Sequence, residues 1–304
     1  MILPKFISVT DYNDSSVFKI KYKMESNIPK VDYRFLDREI GWQYNPVTIS
    51  QYALCLYDES EKDSDQSKKE LFLKQINWLE KNLIVLDNEH YTYYYHFPNK
   101  WYDLSSPWVS GMAQGQTASV FLRAFLLTQN EKYLHIAEKL LNFMLLKKDS
   151  GGTLIRTPEG GFWIEEYVSP KPSMVLNGHL YGLIGLCEYN KIQKNDHFID
   201  LANKLIQTTI DSVNLYEKDN WLIYAREYNT NKCDYKYMGL QVLEAKHLYF
   251  LTKRPEFNEI YERWNNFIDW KKFWKDVERQ NTKFHYMIKN IKGYIKSILF
   301  KGKK

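Results

Sequence analysis

The feature that most restricts this 304-residue chain is a recurring two-helix unit. Phe72, Tyr133, Phe198 and Phe257 each follow a polar break and open a helical run, at intervals of 61, 65 and 59 residues. The runs FLKQINWLEKNL, YLHIAEKLLNFMLL, FIDLANKLIQTTI and FNEIYERWNNFIDW place apolar residues at i, i+3, i+4 and i+7, with polar residues opposite. A more apolar helix precedes each one: QYALCLYDES, TASVFLRAFLLTQNEK, HLYGLIGLCEYNKIQKND and LQVLEAKHLYFLTKRPE. A single hairpin of this kind cannot bury its own face, so the four must stack. Between them lie aromatic, β-branched, turn-bounded segments, HYTYYYHFP, TLIRTPEGGFWIEEYV and WLIYAREYNTNKCDYKYM, which read as short strands or β-hairpins. The expected fold is mainly α, an incomplete (α/α) toroid of helical hairpins with short β-hairpin insertions lining one rim of a cleft. Residues 1–40 are predicted to be a short strand segment packed on the toroid, 41–270 the toroid, and 271–304 a basic amphipathic helix.

Charge divides the chain in the same places. Residues 271–304 hold 11 Lys or Arg against 2 acids, whereas residues 1–270 hold 31 against 35. In the tail, Phe284, Ile288, Ile291, Ile295, Ile298 and Leu299 recur at helical spacing with Lys283, Lys289, Lys292 and Lys296 between them. Two readings stand level: a helix docked on the body with solvated lysines, or peripheral contact of 283–304 with a membrane surface or polyanion. Cys55, Cys187 and Cys233 are odd in number and widely spaced, which supports neither a disulfide framework nor a zinc knuckle. The first residues carry no basic start followed by an apolar stretch, and Pro172–Cys187 is too short to span a bilayer. A cytoplasmic location, at the inner face of the membrane if the tail touches it, is the expectation.

Several chemistries lack their signatures. The chain has no G-x-G-x-x-G, no G-x-x-x-x-G-K-[ST], no H-E-x-x-H and no G-x-S-x-G. His179 reads as a satisfied core or cleft histidine, and Gly178, Gly182 and Gly185 as a site of close helix packing. No cofactor or metal is expected. The acidic body with no basic stripe among its tyrosines argues against nucleic acid and for an aromatic-lined sugar cleft.

Three segments gather ionisable and amide side chains just before a hairpin: Trp108–Gln116, Trp163–Asn177 and Tyr224–Gln241. The stretches SGMAQGQTASVFLRAFLLT and WIEEY followed by VLNGHLYGLIGL, with the earlier GWQYNPVTISQYAL, resemble the C-terminal catalytic domain of the D-glucuronyl C5-epimerases. The resemblance runs from about Gly41 to Trp270 and is weaker in the third segment. It implies an (α/α) toroid binding an acidic uronate-containing polysaccharide, in which glucuronate is inverted to iduronate. Carried over by motif, the catalytic positions are Glu166, Tyr167, Tyr224 and Tyr235. Arg226 stands two residues after Tyr224 where the family has an arginine three after, and Lys236 and Gly239 replace family histidines.

The chemistry makes these residue types intelligible. Inverting C5 removes a proton α to a carboxylate and returns one to the opposite face, so two proton carriers are needed. A carboxylate is ionised at pH 7 but weakly basic; a tyrosine is a stronger base whose ionisation there costs about 4 kcal/mol. Glu166 and Tyr235 are the expected opposed pair, with Tyr167 and Tyr224 as donors or relays. Arg226 would neutralise the substrate carboxylate, and Trp108, Gln114, Gln116 and Asn177 would position sugar hydroxyls and ring faces. Bland alternatives stand beside these: Glu165 and Glu166 both as exposed hairpin charges, Asn177 as a helix cap, Gln114 and Gln116 as solvated, Arg123 as a salt-bridge partner; if the two glutamates alternate across a strand only one faces the cleft, and the motif match selects Glu166. Competing functions are a polysaccharide lyase acting on the same uronate and a non-catalytic glycan-binding subunit of a capsule-assembly system. The sequence leaves the oligomeric state open, a homodimer being one assembly that it allows.

Overall fold

Short polar side chains set where the helices begin. Asn45, Asp65, Ser110, Asn130, Asn195 and Asp234 each stand at an N-cap and accept a hydrogen bond from a backbone N–H two or three residues on. The computed structural model describes residues 3–5, 14–228 and 230–280. After the short helix α1 (Ser16–Lys21) come β1 (Lys23–Glu25), β2 (Ile28–Asp32) and β3 (Trp42–Tyr44), an antiparallel sheet in the order β1-β2-β3. Its third strand lies past residue 40, so the sheet joins the two segments that the sequence divided there.

Four hairpins follow: α2 (Pro46–Asp63) with α3 (Gln66–Lys81), then, after the strand pair β4 (Ile84–Val85) and β5 (Tyr91–Thr92), α4 (Gly111–Thr128) with α5 (Glu131–Met144). The strand pair β6 (Leu154–Arg156) and β7 (Phe162–Ile164) leads into α6 (Leu176–Ile192) with α7 (Asp196–Ser212). Last come α8 (Tyr235–Thr252), α9 (Pro255–Asn265) and α10 (Trp270–Gln280). The first helices pack in succession, α2 on α4, α4 on α6 and α6 on α8, and form the inner layer of an incomplete (α/α) toroid. Their sequences show why: every residue of α4 from Gly111 to Ala124 and of α6 from Leu176 to Tyr189 is buried. The second helices are amphipathic and close the outside. Phe72, Leu140, Phe198 and Leu205 are fully buried there, each contributing about 1.5–3 kcal/mol of hydrophobic stabilisation.

The close packing expected of the glycines is present. A Cβ on Gly115 would stand 2.6 Å from Gly182 Cα, and one on Gly185 2.4 Å from the Gly115 carbonyl. One helix differs from expectation. The run beginning at Phe257 was predicted to continue to Trp270, but α9 stops at Asn265, because Asp269 accepts from the N–H groups of Lys271 and Lys272 and starts α10. Phe273 of α10 then fits over Gly239, where a Cβ would lie 2.0 Å from its ring. Residues 281–304, with the expected membrane contact at 283–304, lie outside the described residues. Among those described, no helix is long and apolar enough to cross a membrane. The three cysteines are buried and not disulfide-bonded.

Candidate active site

The insertions lie at the N-terminal ends of the inner helices and converge on one carboxylate, Glu166. β7 ends at Ile164, so Glu165 and Glu166 do not alternate on a strand, and neither is an exposed charge: they are 1% and 6% exposed. Their surroundings separate them. Glu165 accepts from Ser173 N–H (2.9 Å), Ser173 Oγ (2.6 Å) and Met174 N–H (2.9 Å), while its backbone carbonyl accepts from Gly111 N–H at the start of α4. It is thereby committed to tying the β6–β7 hairpin to α4 and to the approach of α6. Glu166 projects over the start of α6, where a Cβ on Gly178 would stand 2.3 Å from its own Cβ. Only a residue without a side chain fits beneath it.

Burial raises the Glu166 carboxyl to about 7, the Glu165 charge adds to the rise, and the Tyr167 and Tyr224 hydroxyls within reach of it pull the other way. Its Oε2 has no protein partner. Around it stands a set of phenols. Tyr102 stacks on Tyr167 with centroids 3.9 Å apart, and Tyr237 meets Tyr224 edge-on at 4.9 Å. Burial and the Glu166 charge push the hydroxyls of Tyr102, Tyr167, Tyr224 and Tyr237 above the ordinary phenol value, so all four are neutral donors at physiological pH. Tyr167, Tyr224 and Tyr237 are only partly buried, which keeps the cluster open to solvent. Behind them, Tyr33 and Tyr95 are bridged by Asn45: Asn45 Nδ2 donates to Tyr33 Oη (2.7 Å), and Tyr95 Oη donates to Asn45 Oδ1 (2.9 Å). On α8, Glu244 is fully buried with neither oxygen hydrogen-bonded, and burial with the Glu166 charge raises it far above the carboxylate range.

Glu166, Tyr167 and Tyr224 are thus brought together, as the motif match implied. Tyr235 is not. Asp234 caps α8 through Tyr237 N–H (3.0 Å), and in that first turn Tyr235 turns its ring onto Trp221 (4.9 Å), leaving Tyr237 to face Tyr224. Arg226 also needs correction: its guanidinium takes both oxygens of Glu159 (2.6 and 3.0 Å), holding that carboxyl near 2. As placed it pairs with a half-exposed protein carboxylate that a substrate carboxylate would have to displace. Trp108 donates its indole N–H to Phe97 O (2.7 Å) and stacks on Tyr95 (4.0 Å), so it walls the site behind Tyr167.

Gln114, Gln116 and Asn177 are enclosed by the inner helices instead of lining an open surface. Gln114 Nε2 donates to Thr92 (3.0 Å), whereas both ends of Gln116 and Asn177 Oδ1 have no protein partner. Asn177 is not a helix cap, since α6 starts one residue before it with Val175 at the N-cap. His179 is a satisfied core residue: it stacks on Trp163 (3.7 Å), accepts from Ile164 N–H and meets Thr209 Oγ1, and burial lowers it to about 3. Arg123 is a salt-bridge partner, to Glu188.

Tyr237, Tyr102 and Glu244 escaped the sequence. For Tyr237 the signal was there, because Asp234 read as an N-cap puts Tyr237, not Tyr235, at the third helical position. Glu244 was marked as an acid inside the apolar run GLQVLEAKHLYFL. Tyr102 had no signal; it arrives from a loop by tertiary contact.

Residues 87–266 match the family described as D-glucuronyl C5-epimerase C-terminus. An uncharacterized protein of Methanocaldococcus jannaschii is 24% identical over 255 residues, covering 78% of this chain and 82% of that protein. A D-glucuronyl C5-epimerase of Caenorhabditis elegans is 31% identical over 175 residues, covering 52% of this chain but only 28% of the worm enzyme. Among solved structures, a GH76 α-mannanase of Bacteroides thetaiotaomicron superposes with a TM-score of 0.54 at 18% identity, over 83% of this chain and 67% of that one. A cellobiose 2-epimerase of Spirochaeta thermophila does so with a TM-score of 0.51 at 11% identity, over 72% and 57%. These two likenesses show the fold.

Proposed function

The chain belongs to the D-glucuronyl C5-epimerase C-terminus family, and from that premise we propose that it inverts C5 of glucuronate residues in an acidic polysaccharide. The observation that carries the proposal is Glu166: a buried carboxyl poised at about 7, one oxygen without a partner, among neutral phenols. Near pH 7 about half of it is ionised and able to take the C5 proton, the match between pKa and working pH that general-base catalysis favours. The returning proton comes from a phenol on the other face of the sugar. Tyr237 takes this part in place of Tyr235, because it faces Tyr224, which in turn reaches Glu166.

After turnover the proton sits on Glu166 and the charge on a tyrosinate. Since the phenols titrate well above the carboxyl, the proton runs back downhill through Tyr224 and resets the site. Charge developing on the substrate carboxylate meets phenol hydroxyls, with Arg226 already engaged by Glu159. The acceptor is an unsulfated glucuronate polymer in this reading, handled in the cytoplasm before export.

The test is incubation with heparosan in D2O. C5 deuteration and iduronate signals by NMR are expected, reduced about 1,000-fold in Glu166→Gln, within the range that a lost general base costs. Ultraviolet absorbance rising as the polymer shortens would make the reaction an elimination instead. Absence of exchange on every glucuronate polymer tried would leave only glycan binding.

A further inference from the structure

We propose that Phe35 and Trp101 form a sugar-stacking platform at the mouth of the Glu166 site, holding a pyranose ring of the same acidic polysaccharide beside the one that reacts. The proposal rests on the polysaccharide reading above and adds a subsite to it. Phe35 and Trp101 are 52% and 59% exposed, yet their rings lie together, with centroids 5.3 Å apart. Large apolar rings paired in water are informative in a way that a lone exposed leucine is not.

Phe35 is held from below by Tyr33, a residue that feels the Glu166 charge, and Trp101 is fixed through its backbone. Phe35 packs on Tyr33 (5.5 Å), whose ring meets Phe97 (4.3 Å). Trp101 donates its backbone N–H to Asn99 Oδ1 (3.2 Å), and the next residue, Tyr102, stacks on Tyr167. Tyr228, itself exposed, stands 5.5 Å from Tyr102. An aromatic path therefore runs outward from the carboxylate to the surface pair.

The occupant follows from size and charge. Two half-exposed rings offer about half of the 150–250 Å² that each can bury, far short of the ~800 Å² per partner of a stable protein interface. A pyranose fits that area. Its axial C–H face is apolar and its rim is hydroxylated, which matches rings with wet edges. Arg34 and Lys100, the chain neighbours of Phe35 and Trp101, are held in surface ion pairs with Asp32 and Asp37, for which a uronate carboxylate can exchange at little cost.

The test compares wild type with Phe35→Ala/Trp101→Ala and Trp101→Ala, using Trp274→Ala on α10 as the control. Heparosan binding is read by tryptophan fluorescence, and C5 exchange by NMR. The double variant is expected to raise Kd and KM for the polymer about tenfold, equivalent to about 1.4 kcal/mol, with kcat falling far less. Trp101→Ala should show a smaller rise, and the control none. Wild-type affinity in a folded double variant that still exchanges C5 overturns the platform. Should no glucuronate polymer undergo exchange, the functional proposal fails while the platform is judged on binding alone. Heparosan binding lost in the double variant would then uphold it, and absence of binding by the wild type would overturn it.

Discussion

Glu166 packs over the start of helix α6 and Glu188 stands on that helix toward its other end, and both are buried from water. At the C-terminal end, Glu188 receives both nitrogens of Arg123 (2.9 and 3.0 Å) with His247 3.6 Å away, and the cation holds its carboxyl near 2. At the N-terminal end, Glu166 meets phenols, a second carboxylate and no such cation, and rises to about 7. Desolvation acts on both in the same direction. What differs is the partner. A permanent charge at hydrogen-bonding distance turns a buried acid into a structural tie, whereas neutral donors leave it able to exchange a proton at working pH.

The largest expected effect breaks the tie. Arg123→Met strands the Glu188 charge and should cost about 3–5 kcal/mol of stability, measured by urea unfolding. A loss below 1 kcal/mol in Arg123→Met would show that the two carboxylates are less different than their surroundings indicate.

Stability against pH sharpens the contrast, because the two acids act with opposite sign. Glu188, lowered in the fold, contributes stability that is present above about 4.5 and lost as pH falls through about 2. Glu166, raised in the fold, contributes stability that is present below 4.5 and lost as pH rises through about 7. Glu166→Gln should therefore flatten the decline between pH 5 and 8, gaining up to about 3 kcal/mol on wild type at the upper end. Parallel curves for the two proteins would mean that Glu166 titrates normally. A smaller effect separates the neighbouring tyrosines: Tyr237→Phe should lower kcat about 100-fold and Tyr235→Phe less than tenfold, in line with the usual worth of a proton donor. The reverse order would return the proton to Tyr235.

Much of this was legible before folding. The spacing of Phe72, Tyr133, Phe198 and Phe257 gave the four hairpins, and the WIEEY motif singled out Glu166 and Tyr167. Less legible was what the side chains do when packed. Arg226 seemed available for substrate by its position after Tyr224, but Glu159 reaches it across 67 residues. Gln114 and Gln116 stood near a helix start, where solvation was the bland reading, and the inner layer enclosed them. The motif chose Glu166 over Glu165, but that Ser173 and Met174 tie Glu165 down was not legible.

The chain on its own determined the elements, their stacking and the residue types at the cleft, because periodicity, caps and glycine spacing act over a few residues. Only the tertiary structure decided that Glu165 is tied while Glu166 keeps an unpartnered oxygen, and which of two tyrosines faces the cluster. Protonation depends on what stands within a few ångströms, and here those neighbours come from loops and helices far apart in sequence.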